Sequence, residues 1–342
     1  LTRFTHIVLA HGGGGQLTDE LVAQCVLPRL GNAVLSDLLD SGIVQTQGAD
    51  GRPLRLATTI DSYVVQPLVF PGGDIGRLAV SGTVNDLCVC GARPLGLALG
   101  MILAEGLERS LLEQVLDSIQ QTAAEAGIKI VTGDTKVVGR GQADGMYLTT
   151  SGIGMIESDL RLHPDQVRAG DLLIINGPIA DHGLAVMLAR EMPQVRSVLH
   201  SDVAPLNGLI AAAMESSREI VFMRDATRGG LAAVAADLAA RSGLHVVLEE
   251  SSIPLRPETL HAAEMLGLDP LEVANEGKVL MVVRPQAAPA VLEALHRHPL
   301  GQQAAIIGCI EQKADGLCEI RTPIGGRRIV AKPYGEQLPR IC

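Results

Sequence analysis

Aromatic residues are nearly missing from this chain, which has no tryptophan, three tyrosines and three phenylalanines in 342 residues. The core must therefore be built from Leu, Val, Ile and Ala, and ring platforms that stack on single-stranded nucleic acid are scarce. A basic surface is missing too. With 28 basic against 38 acidic residues the formal charge is -10, which disfavours a polyanion, so no nucleic-acid partner is expected. No apolar run approaches the ~20 residues of a membrane span. No charged, then apolar, then small-residue leader opens the chain, so no membrane association is expected. The six cysteines show neither disulfide nor zinc spacing, and reduced thiols in a cytoplasmic protein are the expectation. The close pair Cys88-Val89-Cys90 has no nearby histidine and reads as two buried helix-face thiols rather than metal ligands. Walker A, the kinase signature set and a GxGxxG turn are all absent. Any nucleotide has to be held in another way.

What is present is a well-buried globular composition, 47% hydrophobic and 19% charged. At this length one core is too few, and two domains are expected, 1–158 and 159–325, followed by a mobile tail, 326–342. The polar, proline-containing stretch 157–171 marks the junction. Alternation predicts strands over 54–60, 95–103, 128–131, 146–156, 172–175, 244–248, 279–283, 304–310 and 317–320. Helical spacing predicts a helix opening at 72–76 and running to Asn85-Asp86, then others near 183–191, 203–216, 231–241, 257–266 and 288–297. Ser110-Leu111-Leu112-Glu113 reads as a capping box, with Gly127 ending the helix behind it. The fold class is α/β, each domain a mixed sheet packed with helices.

Three carboxylates, Asp61, Asp86 and Asp134, are expected at element ends beside small or hydroxyl residues. Separate carboxylates converging at sheet ends suit a hard divalent cation held against a nucleotide triphosphate. Each is equally an ordinary capping or turn aspartate. Lys136 adds a point charge suited to phosphate, or is a solvated lysine. The glycines Gly12, Gly13, Gly14 and Gly15 after His11 allow backbone N–H groups to approach phosphate, or form a loose segment. The chain ends on Cys342. The preceding run, AKPYGEQLPRIC over 331–342, has no helical or strand period and could reach up to roughly 40 Å.

Six stretches lie in order along nearly the whole chain: HGGGGQ (11–16), TTIDSYVVQPLVFPGGDIGRLAVSGTVNDL (58–87), GDTKVV (133–138), DATRGGL (225–231), NEGK (275–278) and the terminal PRIC. Together they resemble the HypE family of hydrogenase maturation factors, within the superfamily of aminoimidazole ribonucleotide synthetase and selenophosphate synthetase. Cys88-Val89-Cys90 departs from that pattern, where small or apolar residues are more usual. The resemblance implies a two-domain, ATP-dependent dehydratase acting on its own tail. A carbamoyltransferase (HypF) places a carbamoyl group on Cys342. The amide oxygen attacks the γ-phosphoryl group of ATP, and loss of phosphate and a proton leaves a thiocyanate. Its cyanide passes to an iron-carrying complex of HypC and HypD, toward the [NiFe]-hydrogenase centre. The resemblance further implies a homodimer through the first domain's sheets, and a Mg²⁺–ATP site at Asp61, Asp86 and Asp134 under the Gly12–Gly15 loop. Lys136 is assigned to the transferred phosphoryl group or the tail, Glu276 to the amide protons, and Asp225 to cleft shape or a nucleotide group. His11 is a candidate helper near the phosphates. Glu276 has an alternative as a structural partner of Lys278. Two other functions stay open: another ATP-dependent enzyme of the superfamily (a ligase or small-molecule kinase) with Cys342 incidental, or a non-enzymatic carrier of the tail.

Overall fold

The computed structural model describes residues 4–157, 159–335, 338 and 340–342, so Pro339 of the terminal motif lies outside the described residues. Two short helices, α1 (Gln16–Leu21) and α2 (Leu27–Leu30), precede the first sheet. Strands β1 (Gly42–Gln47) and β2 (Pro53–Tyr63) lead through a two-strand ribbon, β3 (Val69–Phe70) and β4 (Gly73–Asp74), into helix α3 (Ile75–Val89). Strand β5 (Ala92–Ala104), helix α4 (Arg109–Glu125), strand β6 (Ile130–Val138) and strand β7 (Met146–Ile156) complete the domain. The sheet order is β1-β2-β7-β5-β6, mixed because β5 and β6 run parallel while the other pairs are antiparallel. On β7 burial alternates strictly from Met146 to Ile156, as a sheet with one covered face requires. Helix α3 packs on that covered face and against α4. The opposite face stays open, with Ile60 67% and Ile153 42% exposed.

The second domain runs β8 (Leu172–Ile175), α5 (Asp181–Glu191), α6 (Asn207–Ser216), β9 (Ile220–Asp225), α7 (Gly230–Ser242), β10 (His245–Glu249), α8 (Pro257–Leu266), β11 (Val279–Val283), α9 (Ala288–Arg297), β12 (Ala305–Glu311), β13 (Cys318–Arg321) and β14 (Arg327–Val330). Its seven strands are ordered β14-β13-β10-β12-β8-β11-β9. Every residue of β11 is buried, which explains its unbroken apolar run, Val-Leu-Met-Val-Val. One hydrophobic cluster continues through both domains, from Val65, Ile75 and Leu148 to Leu173, Val246 and Val282.

Several boundaries differ from the sequence expectations, each for a local reason. Helix α3 is capped by Asp74, whose Oδ1 accepts from the N–H groups of Gly76 (2.8 Å) and Arg77 (2.9 Å). It continues to Val89, so Asp86 lies inside its last turn. Asp61 and Asp134 likewise sit within β2 and β6 rather than at their ends, because ladder pairing carries both strands past them. The capping box at Ser110 does not form: α4 begins at Arg109, and its N-cap Glu108 makes no side-chain cap bond. Arg327–Val330, placed in the tail by composition, pairs with β13 as the sheet's edge strand. Cys88 and Cys90 are both buried at the end of α3.

Candidate active site between the two domains

Residues alternating along β2 point Thr59, Asp61 and Tyr63 toward α3, where Thr83 and Asp86 lie one turn apart. Asp86 Oδ2 accepts from Thr59 Oγ1 at 2.7 Å. The Tyr63 hydroxyl reaches Asp61 at 3.5 Å and Thr83 at 3.4 Å. The second domain adds Asp225 from the end of β9 and Glu276 from the turn before β11, both buried. Burial raises the pKa of Asp61, Asp86, Asp225 and Glu276; neighbouring carboxylates push Asp86, Asp225 and Glu276 further in the same direction, whereas Arg228 partly offsets the effect of burial at Asp61. Asp40 belongs to the same field, 3.2 Å from Arg224. Crowded, desolvated carboxylate oxygens are the donor set a hard divalent cation prefers. Among the described residues, however, no three His, Cys, Asp or Glu side chains converge closely enough to ligate one ion by themselves. A cation held here would complete its shell from water and phosphate, which is how Mg²⁺ is usually bound beside nucleotides.

The end of the chain lies in this cleft. The N–H of Val64 donates to the Cys342 carbonyl (3.1 Å) and that of Gln66 to the Arg340 carbonyl (3.2 Å). Arg340, with φ 56°, returns a bond from Nε to the Val64 carbonyl (3.0 Å) and pairs with Asp144 (2.5 Å). On the other side His182 Nε2 contacts the Ile341 carbonyl at 3.0 Å. Arg228 stands over the terminus; the charge of Cys342, then those of Asp61 and Glu276, hold its guanidinium firmly protonated. A roomier cleft of about 340 Å³ lies elsewhere, behind the tail base between Leu271, Arg328 and Tyr334, and holds none of these carboxylates.

Residues 40–156 match the AIR synthase related protein, N-terminal domain, and residues 168–317 match its C-terminal domain. The carbamoyl dehydratase HypE of Rhizobium leguminosarum bv. viciae is 45% identical, covering 98% of this chain and 95% of that one. The chain belongs to the HypE family. A solved HypE in complex with ATP superposes with TM-score 0.80 at 39% identity, covering 98% of this chain and 100% of that chain. A HypE chain solved as a HypE–HypF complex gives TM-score 0.84 at 40% identity, covering 92% and 99%. Two AIR-synthase-like α/β domains are thus the architecture of this HypE-family chain.

Its expected site residues are only partly brought together. Asp61, Asp86, Asp225, Glu276 and Cys342 share the cleft. Asp134 and Lys136 do not: they pair with each other at 2.7 Å, exposed on edge strand β6. Glu276 is not the partner of Lys278, which instead holds Asp202 at 2.8 Å. The glycine run packs on the tail base and on Arg228. The N–H groups of Gln16 and Leu17 donate to the carbonyls of Pro333 (2.8 Å) and Tyr334 (3.1 Å), and Arg228 donates to the Gly12 carbonyl (3.1 Å). A Cβ on Gly15 would lie 2.3 Å from the Pro333 carbonyl oxygen, so this position requires glycine. His11 is buried beside Phe4, accepts from the Val8 N–H at 3.0 Å, and its Nε2 finds no hydrogen-bond partner among the described residues. Sequence reasoning missed Asp40, Tyr63, Arg228, His182 and Arg340 as participants. Tyr63, Arg228 and Arg340 lie inside motifs already singled out, whereas Asp40 and His182 carry no local signal at all.

Proposed function

We propose that this chain is an ATP-dependent dehydratase of a thiocarbamate on its own C-terminal cysteine, converting S-carbamoyl Cys342 to S-cyano Cys342. The observation that carries this reading is the seating of Cys342 beside Arg228 and the buried carboxylates of both domains. An amide oxygen leaves poorly as hydroxide and well once phosphorylated. The carbamoyl oxygen on Cys342 attacks the γ-phosphoryl group; the new O–P bond forms as the bond to ADP breaks. The C–O bond then breaks, phosphate departs, and the two amide protons leave the nitrogen to give the nitrile. Phosphoryl transfer depends on positioning and charge neutralisation. The tail contacts at Val64, Gln66 and Arg340 supply the first, and Arg228 contributes to the second. Glu276, whose charged form burial disfavours, is the stronger base for that reason and takes an amide proton. Mg²⁺ at Asp61, Asp86 and Asp225 would neutralise phosphate charge. The Gly12–Gly15 loop, with His11, would cover the phosphates.

The carbamoyl donor is a HypF-type carbamoyltransferase, and the acceptor of cyanide is an iron-carrying complex of the HypC and HypD type. The working unit is a homodimer paired through the open face of the first sheet. Lys136 and Asp134 lie on that face, so we place them at the seam between copies.

The test starts from Cys342 carbamoylated by cyanate or by the transferase. With Mg²⁺ and ATP, the C-terminal peptide should lose the mass of one water per ATP hydrolysed. Glu276→Gln should keep nucleotide affinity and lose at least ~100-fold in dehydration rate. An unchanged peptide mass alongside turnover of a free metabolite would assign the chain to another ATP-dependent chemistry.

A further inference from the structure

His182 is a buried histidine on α5 that the reaction as written does not use. It faces the tail through an ordered chain of hydrogen bonds. Ser201 Oγ accepts from the Val203 N–H (3.1 Å), which leaves its hydroxyl hydrogen for His182 Nδ1 at 2.8 Å. With Nδ1 acting as acceptor, the neutral ring carries its proton on Nε2, and that N–H donates to the Ile341 carbonyl at 3.0 Å. Burial keeps the imidazole in that neutral form. The ring edge packs on Phe70, centroids 5.5 Å apart. The backbone that presents it is strained. Ala180, two residues earlier, has φ 73°, and its N–H is tied to Asn275 Oδ1 at 2.7 Å. A non-glycine residue in the left-handed region persists only where its surroundings hold it.

The carbonyls of the last three residues divide between two sides of the cleft: those of Arg340 and Cys342 face Gln66 and Val64, and that of Ile341 faces His182. Arg340 stands in the left-handed region, so the tail turns here and the three carbonyls part between the two sides; a slip of one residue would break these hydrogen bonds together. Such a slip would also carry the Cys342 sulfur about 3.3 Å along the cleft, beyond the in-line distance a phosphoryl transfer tolerates.

We infer that His182, fixed by Ser201 as the Nε2–H tautomer, is a positioning residue that sets the register of the terminal residues so that Cys342 stops at the reacting position. This inference rests on the dehydratase reading for its consequence, but not for its first readout. Hydrogen exchange at the amides of Val64 and Gln66, which the tail covers, reports seating without any turnover. His182→Leu should speed exchange at both amides by about tenfold and slow single-turnover dehydration of the S-carbamoyl chain by a similar factor, with ATP affinity unchanged. His182→Gln, whose side-chain amide can still donate, should recover most of that loss. Ser201→Ala removes no atom that touches the tail but frees the tautomer, and should fall between wild type and His182→Leu. Wild-type exchange in His182→Leu, or a Gln variant no better than Leu, overturns the inference. If His182→Leu does not fold, Ser201→Ala decides, and unchanged exchange in it overturns the inference. A wild-type chain that shows protected amides but no dehydration would instead sink the dehydratase reading and leave the register role standing.

Discussion

Asp181 and Asp202 flank the tail-gripping histidine at the scale of single residues, and they have opposite fates. Both are buried. Asp202 lies 2.8 Å from the ammonium of Lys278, which outweighs burial and holds its carboxyl below the usual range. Asp181 has a hydrogen bond from Thr259 (2.5 Å) and a looser contact with half-exposed Arg256 (3.4 Å). Burial prevails there and pushes its pKa up to about 6. The sign of the linkage follows. Between the unfolded value near 4 and the folded value, the native state holds the extra proton, so stability falls as pH rises through that window. Asp181→Asn keeps an oxygen for Thr259 and removes the charge. It should raise unfolding free energy by about 1–3 kcal/mol at pH 7.5 and by close to nothing at pH 4, as urea titrations at the two pH values would show. A loss at pH 7.5 would mean that the Arg256 pair outweighs desolvation.

At the scale of elements, helix α3 joins the domains through Arg77, whose Nε donates to the Val203 carbonyl (3.0 Å), and above all through Asn85. Asn85 donates from Nδ2 to the carbonyls of Ala204 (3.1 Å) and Glu276 (3.3 Å), and its Oδ1 accepts from the Leu206 N–H at 2.7 Å. Asn85→Ala would leave the Ala204 carbonyl and the Leu206 N–H unmatched, and the Glu276 carbonyl with only the long bond from the Ala204 N–H (3.5 Å). It should cost about 2–4 kcal/mol in urea unfolding and lower dehydration more than ATP binding, because Glu276 loses its anchor. Glycine, alanine and serine spacing made α3 itself readable from sequence, and β7 and β11 were equally plain from alternation and from an unbroken apolar run. The α/β class followed from such elements. What stayed hidden were partners far apart along the chain. Asn85 meets residues 119 to 191 positions away, and no periodicity reports that. The same blindness explains the site. Asp61 and Asp86 stood out as carboxylates beside small residues, and Asp225 and Glu276 through the family resemblance, but the field of Asp40 and the neutralising Arg228 depend on how two sheets face each other. Ser110 shows the converse failure, a local motif outvoted by a helix that begins one residue earlier.

The whole molecule poses the question of Asp134 and Lys136. Cross-strand register puts Ser62, Thr149, Gly100 and Asp134 in one row, and Tyr147, Ile102 and Lys136 in the next. Cross-strand partners share a face, and this is the open one, where Ile60, Ile102, Ile153 and Met155 are exposed. A bare sheet face with several large apolar side chains is a natural pairing surface. Asp61, one residue on from Ile60, points through the same sheet into the cleft. In the homodimer proposed above, each Lys136 lies at the seam between copies. Ile153→Glu, in the middle of that face, should convert a dimer into monomers by light scattering and depress dehydration while leaving each chain folded. A sharper version mixes two inactive variants. In a heterodimer of Lys136→Ala and Glu276→Gln, Lys136 acting across the seam leaves one intact site and one doubly damaged site, so the mixed pair should recover about half the wild-type rate, the share one intact site of two would give. If Lys136 served its own chain, both sites would carry a lesion and the pair would stay inactive. Recovery would explain why the pair stands exposed on β6 rather than among the buried carboxylates of its own chain.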